Sequence, residues 1–144
     1  MALSNPLQVY EVLEKVAKQR SKADKIKVLR EHGTMMALRD VLQGTFDDRI
    51  EWNLPDGVVP FTAAREEAVP TTLRKEHLKF KFFVKGLRES EDLMSVKRER
   101  LFIDLLESVD PRDAEAVVNM INKKPPVKGL TEKIVKEALP DLIP

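Results

Sequence analysis

Side chains able to carry chemistry are few and scattered. His32 and His77 are the only imidazoles, and neither has a second ligand at metal-binding spacing, so both read as capping or surface residues. There are no cysteines, hence no disulfides, thiolate nucleophiles or thiolate metal sites. The acid pairs Asp47-Asp48 and Glu66-Glu67 are adjacent in sequence, and adjacent side chains diverge on a helix, whereas two-metal or glycosidase chemistry needs convergent carboxylates. No HExxH, P-loop or GxSxG motif occurs, and Asp56-Gly57 in "LPDGVV" reads as a turn. The expectation is a non-enzymatic chain with no cofactor and no metal.

The stretch with the most specific chemistry is "KKPPVKGLTEKIV". Thr131 can cap a helix, Gly129 lets backbone approach the preceding turn, and Lys128 and Lys133 stand beside the first turn. Free amides at a helix start flanked by lysines suit a phosphate-sized anion. A plain helix start explains the same residues. "LRKEHLKFKFFVKGLR" interleaves Lys79, Lys81 and Lys85 with Phe80, Phe82 and Phe83, a mixture able to stack on single strands. On a helix Leu73, Phe80, Phe83 and Leu87 would instead share a core face, Lys75 and Lys79 would fall with Phe82 on another, and Trp52 reads as a core or loop anchor.

Net charge is only +1 over 144 residues, so partners have to be argued from where the charges lie. Residues 15–30 carry seven Lys/Arg against Asp24, residues 71–88 six against Glu76, and residues 122–136 five against Glu132. Acids gather in "DDRIE", "REE", "ESED" and "DLLESVDPRD". Two readings stand: solvated helix faces, or a basic face opposite an acidic one that attracts a polyanion. A hydrophobic content of 42% with 34% charged residues is that of a folded globular chain. No apolar run reaches a membrane span, the N-terminus lacks a signal-peptide pattern, and the expected location is the cytoplasm.

These residues need elements to position them. Helical periodicity predicts an all-α bundle of about seven or eight short helices in a single domain, 1–144, with an irregular loop over about 55–70. Asn5-Pro6 would start the first helix, with Leu7, Tyr10, Leu13 and Ala17 on its inner face. Ser21 with Asp24 would box the second, which ends at Gly33, and Thr34 would cap a third that stops at Gly44. "FDDRIEWNL" reads as a fourth on Phe46, Ile50 and Leu54. The loop would be pinned by Val58, Val59 and Phe61. Thr71 would cap a helix running to Gly86, and "RESEDLMS" reads as a turn with one helical turn. Residues 95–108 form the most apolar helix, with Val96, Leu101, Ile103, Leu105 and Leu106. Asp110-Pro111 would start the next, with Asp113 completing a box, and Thr131 to Leu139 form the last.

The order of these pieces resembles a known family. "LEKVAKQRSKADKIKVLREHGTMMALRDVLQGTFDDRIEWNLP" is similar to the opening of the N-terminal DNA-binding domain of ATP-dependent DNA ligases of the phage type. "LFIDLLESVDPRDAEAVVNMINKKPPVKGLTEKIVKEALPDLIP" resembles the end of that domain, after which a ligase continues to its catalytic core. Residues 56–100 carry no such likeness. "YEVLEKV" and "FIDLLE" also resemble segments of small proteins of tailed phages. The resemblance implies an all-helical domain lying along duplex DNA and touching sugar-phosphate across the minor groove, with Lys128, Gly129, Leu130 and Thr131 at the DNA-contacting turn. Lys133 joins them as a neighbour on physical grounds, and Lys22, Lys25 and Arg39 are weaker candidates, with Lys75 and Lys79 added from the middle basic segment. No Lys-x-Asp-Gly nucleotidyltransferase motif is present, since Leu54 stands two places before Asp56, so ligase activity is expected to be absent. The expected function is backbone-directed binding of duplex DNA with little sequence specificity and a preference for nicked or distorted sites, by a phage-encoded protein. The alternative is an interaction module that binds and modulates a phage or host replication or repair enzyme, with no membrane partner in either case.

Overall fold

A computed structural model describes residues 7–55, 61–65 and 68–144. Asn5-Pro6, Asp56-Gly57, Val58, Val59 and Glu66-Glu67 lie outside the described residues. The architecture is an all-α bundle: α1 Val9–Lys18, α2 Lys22–Glu31, α3 Met36–Phe46, α4 Leu73–Glu76, a 3-10 helix His77–Phe83, α5 Arg88–Glu91, α6 Ser95–Ser108, α7 Pro111–Ile121 and α8 Glu132–Ala138. The strongest packing is of α8 on α2 and of α7 on α3, with α1 bridging α2 and α7 and α6 backing α7.

Several boundaries follow their caps. Ser21 accepts from the Asp24 amide at 3.1 Å, Asp110 from the Arg112 amide at 2.8 Å with Pro111 at the first helical position, and Thr131 from the Ile134 amide at 3.3 Å. α1 starts at Val9 behind Gln8, and its buried residues are Val9, Val12, Leu13 and Val16, so the inner face is rotated from the one expected and Ala17 is exposed. Met35 rather than Thr34 stands at the α3 N-cap, and the helix runs through Gly44 to Phe46. Thr72 rather than Thr71 precedes α4.

Two larger departures concern the middle of the chain. "FDDRIEWNL" is not a helix. The buried Asp47 carboxylate accepts from the Arg49 amide at 2.9 Å and from its guanidinium at 2.8 and 3.0 Å, a local closure that competes with helix continuation. The guanidinium bonds hold the Asp47 carboxyl down at about 2. The chain then runs extended, and Trp52 pairs with Val84 through Asn53 N–H to Phe83 O at 2.6 Å and Lys85 N–H to Glu51 O at 2.7 Å. The expected helix from Thr71 to Gly86 is instead one α turn followed by a 3-10 helix. Its buried residues His77, Phe80 and Phe83 recur every three positions, the period at which 3-10 side chains eclipse.

Further along, α6 keeps its expected bounds, and its apolar residues are buried to different degrees. Phe102, Leu105 and Leu106 are buried, Leu101 and Ile103 are half-buried, and Val96 is 75% exposed. Phe102 meets Phe83 edge-on with centroids 5.3 Å apart. Arg98 is buried because its guanidinium donates to Ser90 O at 2.8 and 3.2 Å and Leu93 O at 2.7 Å, closing the carbonyl end of α5.

The most constrained packing lies at the end of α3. A Cβ on Gly44 would stand 2.5 Å from the Trp52 ring and 2.8 Å from Met120 Sδ. Alanine is favoured over glycine in a helix interior by about 1 kcal/mol. Overpacking typically costs about 1–3 kcal/mol, and here the obstacles are a ring and a buried core side chain rather than loose surface atoms. Gly44→Ala is therefore expected to lower the urea midpoint; a midpoint at or above wild type would refute this close approach.

Asp113 does not complete a capping box. It is buried, and its Oδ1 accepts from the Tyr10 amide at 2.8 Å, tying α7 to α1 across 103 positions. Burial pushes its carboxyl up to about 7; the Tyr10 amide and Arg112 oppose this, while Asp110 and Glu11 add to it. The folded state therefore holds a proton that the unfolded chain releases between about pH 4 and pH 7. The Asp113 contribution to stability is most favourable below that window and declines as pH rises through it, by at most about 1.4 kcal/mol per pH unit. Denaturation of wild type and Asp113→Asn across this range should show wild type losing ground to the variant with rising pH. Parallel profiles would rule out the shift.

Candidate nucleic-acid interface

Packing of α8 on α2 brings the first and third basic segments together. Lys22 Nζ meets Glu137 Oε1 at 2.8 Å, and Arg30 Nη2 donates to Glu137 O at 3.0 Å. Lys22, then Lys133 and Arg30, hold the exposed Glu137 carboxyl below the usual carboxylate range. Gly129 has φ +86°, a backbone region that favours glycine, and a Cβ there would stand 2.7 Å from Lys25 Nζ. Lys25 therefore lies over the turn that carries Lys128. These contacts link Lys22, Lys25, Arg30, Lys128 and Lys133 into one surface with Glu137 inside it.

The core beneath explains why these side chains face outward. Ile26, Val28 and Leu29 of α2 and Ile134, Val135 and Ala138 of α8 are buried against each other's helices and the rest of the core. A Cβ on Gly33 would meet Leu139 Cδ2 at 3.0 Å, so α8 seats closely on the end of α2. Lysines on the opposite sides are left to solvent, and among the described residues Lys25, Lys128 and Lys133 have no carboxylate within ion-pair distance. Lys136 is paired with Glu132 at 3.5 Å.

Other expected site residues serve different ends. Leu130 is 1% exposed and belongs to the core, so its side chain is out of reach of a ligand. Thr131 spends its hydroxyl on the Ile134 amide, and α8 is only seven residues long, so the basic surface rather than a helix start is the feature of interest. Arg39 donates to Gly33 O at 3.1 Å and pairs with Asp141 at 2.7 Å, which pins the C-terminal segment. Lys75 and Lys79 lie on α4 and the 3-10 helix, which pack on α3 and not on α8; Lys79 pairs with Glu76 at 3.0 Å. The structure thus joins two of the three basic segments. Arg30, absent from the sequence-based set, could have been found from its place eight residues after Lys22, about two helical turns along the same face.

Of the two histidines, His77 differs from expectation. His77 is 7% exposed and its Nδ1 meets Asp40 Oδ2 at 2.5 Å, so it is a buried partner and not a surface residue. His32 does sit at the C-cap of α2, but burial first and Lys15 second push its pKa down, against the direction the helix dipole favours. Among the described residues no group of three or more His, Asp or Glu stands where it could hold a metal ion, and no helix is long and apolar enough to cross a membrane.

Fold and site together define an all-helical protein with a contiguous lysine- and arginine-rich surface on two packed helices. The chain belongs to the family of unknown function DUF6433, whose model matches residues 12–125, from α1 through the end of α7. No curated protein matches it.

Proposed function

We propose that this chain binds duplex DNA, without catalysing a reaction on it, through the phosphates that its α2–α8 surface can reach. The observation that carries the reading is the union of Lys22, Lys25 and Arg30 with Lys128 and Lys133 on one surface, despite a net charge of only +1. Further support is the resemblance of the sequence to the DNA-binding domain of phage-type ligases, whose DNA-contacting turn corresponds to residues 128–131. Lysines and arginines on phosphates position a protein without reading bases, so the expected binding has little sequence specificity. Glu137 inside the surface limits affinity by holding Lys22 and repelling phosphate. A modest footprint of this kind favours DNA whose backbone is already distorted, such as a nick.

Fluorescence anisotropy with intact, nicked and single-stranded DNA of one sequence, over a salt series, tests this. A footprint of about four or five phosphates gives a log–log salt slope of about −4. Lys25→Glu with Lys128→Glu and Lys133→Glu should abolish binding while leaving the fold intact. Glu137→Gln should strengthen it and steepen the slope by about 1, because one more cation becomes available to phosphate. A folded protein that fails to bind any of the three DNAs at low salt would overturn the proposal. A nicked-to-intact ratio above unity would support recognition of backbone shape.

A further inference from the structure

A second surface lies on other elements. Between the end of α3 and the 3-10 helix is a groove of about 250 Å³ whose lining includes Trp52, Phe80, Val84, Leu78, Leu87 and Lys81, together with the Asp40–His77 pair. Its floor is rigidly made. Trp52 Nε1 donates to Gly44 O at 3.0 Å, the Trp52 and Phe80 rings meet edge-on at 6.1 Å, and Trp52 pairs with Val84 in the extended bridge. Its lips are Leu78, 68% exposed, and Leu87, 40% exposed. Single exposed leucines are ordinary, but two that flank an open apolar groove form a continuous unsatisfied patch.

Size and charge restrict the occupant. The volume is below the roughly 300–1,000 Å³ of small-molecule pockets, and suits one or two inserted side chains. Asp40 is already engaged by His77, whereas Lys81 faces no carboxylate within ion-pair distance among the described residues and rests over the Phe82 ring at 5.5 Å. Lys85, next to the Val84 wall, meets Glu51 only at 3.9 Å, with both side chains well exposed. The outer rim is therefore cationic and incompletely neutralised.

We infer that this groove seats an acidic segment of a partner protein, which inserts one or two large apolar side chains between Leu78 and Leu87 over Trp52 and sets a carboxylate against Lys81. Such a segment uses the groove as an apolar anchor site and the lysine rim for orientation. The site is separate from the α2–α8 surface, so the inference stands without DNA binding.

Trp52 is the only tryptophan, so its emission reports on this floor alone. The full chain would be used to select short peptides from a random display library, and the enriched peptides, synthesised without tryptophan, would be titrated while Trp52 emission is followed. The inference expects peptides combining Leu or Phe with Asp or Glu, a change in Trp52 emission, and losses of about tenfold or more in affinity on Leu78→Ser and on Lys81→Glu. Both replaced side chains are exposed, so thermal melts should match wild type. Replacing the peptide's acid with lysine should restore binding to the Lys81→Glu variant. Enriched peptides lacking either the apolar or the acidic residue, binding indifferent to both variants, or no enriched peptide would overturn the inference. A concentration-dependent dimer abolished by Leu78→Ser would overturn it too, by giving the groove to a second copy.

Discussion

The carbonyl of Gly44 is the point on which the middle of the molecule depends. It lies in the last turn of α3, and two donors from distant parts of the chain converge on the one oxygen: Trp52 Nε1 at 3.0 Å and Lys123 Nζ at 2.8 Å. Lys123 also donates to Asp47 O at 2.9 Å, so one ammonium closes carbonyls that the helix end leaves open. To deliver it, Lys123 adopts φ +57°, a conformation that costs a side-chain-bearing residue about 1–2 kcal/mol. Burial pushes its pKa down, while Asp47, Asp48 and Glu51 oppose that. The absent Gly44 side chain lets Trp52 and Met120 both pack against the same point of the helix. α3, α7 and the extended segment are thereby locked to one another, and the groove floor is a by-product of that lock.

The second organising contact is α8 on α2, and its consequence is electrostatic. α2 already carries Lys22, Lys25, Lys27 and Arg30, and packing α8 beside it adds Lys128 and Lys133 to that surface because the apolar stripes of both helices are used up against the core. The cost of gathering like charges is eased by Glu137, which accepts Lys22 and lies near Lys133 and Arg30. All of these groups are exposed, so the pairing has little bearing on stability and more on what the surface attracts. Arg39 and Asp141 act differently: the Arg39 side chain is 18% exposed, and it anchors the segment after α8 to the start of α3.

Fold class was legible because helical spacing and caps carry their information locally. Ser21, Asp110 and Thr131 each bond an amide two or three residues on, and a reader of the chain can count to that. What escaped was decided at long range or by a different period. Asp113 looks like part of a capping box but is taken by Tyr10, from the opposite end of the chain. His77, Phe80 and Phe83 fit an α-helical core face almost as well as a 3-10 one, and only the half-buried Phe82 and the bridge at Val84 distinguish them. Gly44 reads as a stop signal until Trp52 and Met120 are seen to need its missing side chain. Of the candidate interface, the lysines of both basic segments were visible in the sequence. Their convergence was not, because it depends on α8 packing beside α2, and no local pattern encodes which helix a terminal helix will choose.

The two surfaces are built so that one can be occupied without disturbing the other. The basic surface lies on α2 and α8, while the groove is made by the end of α3, the extended Trp52 segment and the 3-10 helix. Leu38 and Leu42 of α3 and Leu29 of α2 are fully buried in the core that both sets of elements share. The two surfaces share no side chain, and Leu78 and Lys81 on one and Lys25, Lys128 and Lys133 on the other make no contact with each other. If both proposals hold, a protein segment seated by Leu78 and Lys81 does not compete with phosphate for Lys25, Lys128 and Lys133, because the two sets of side chains lie on different elements.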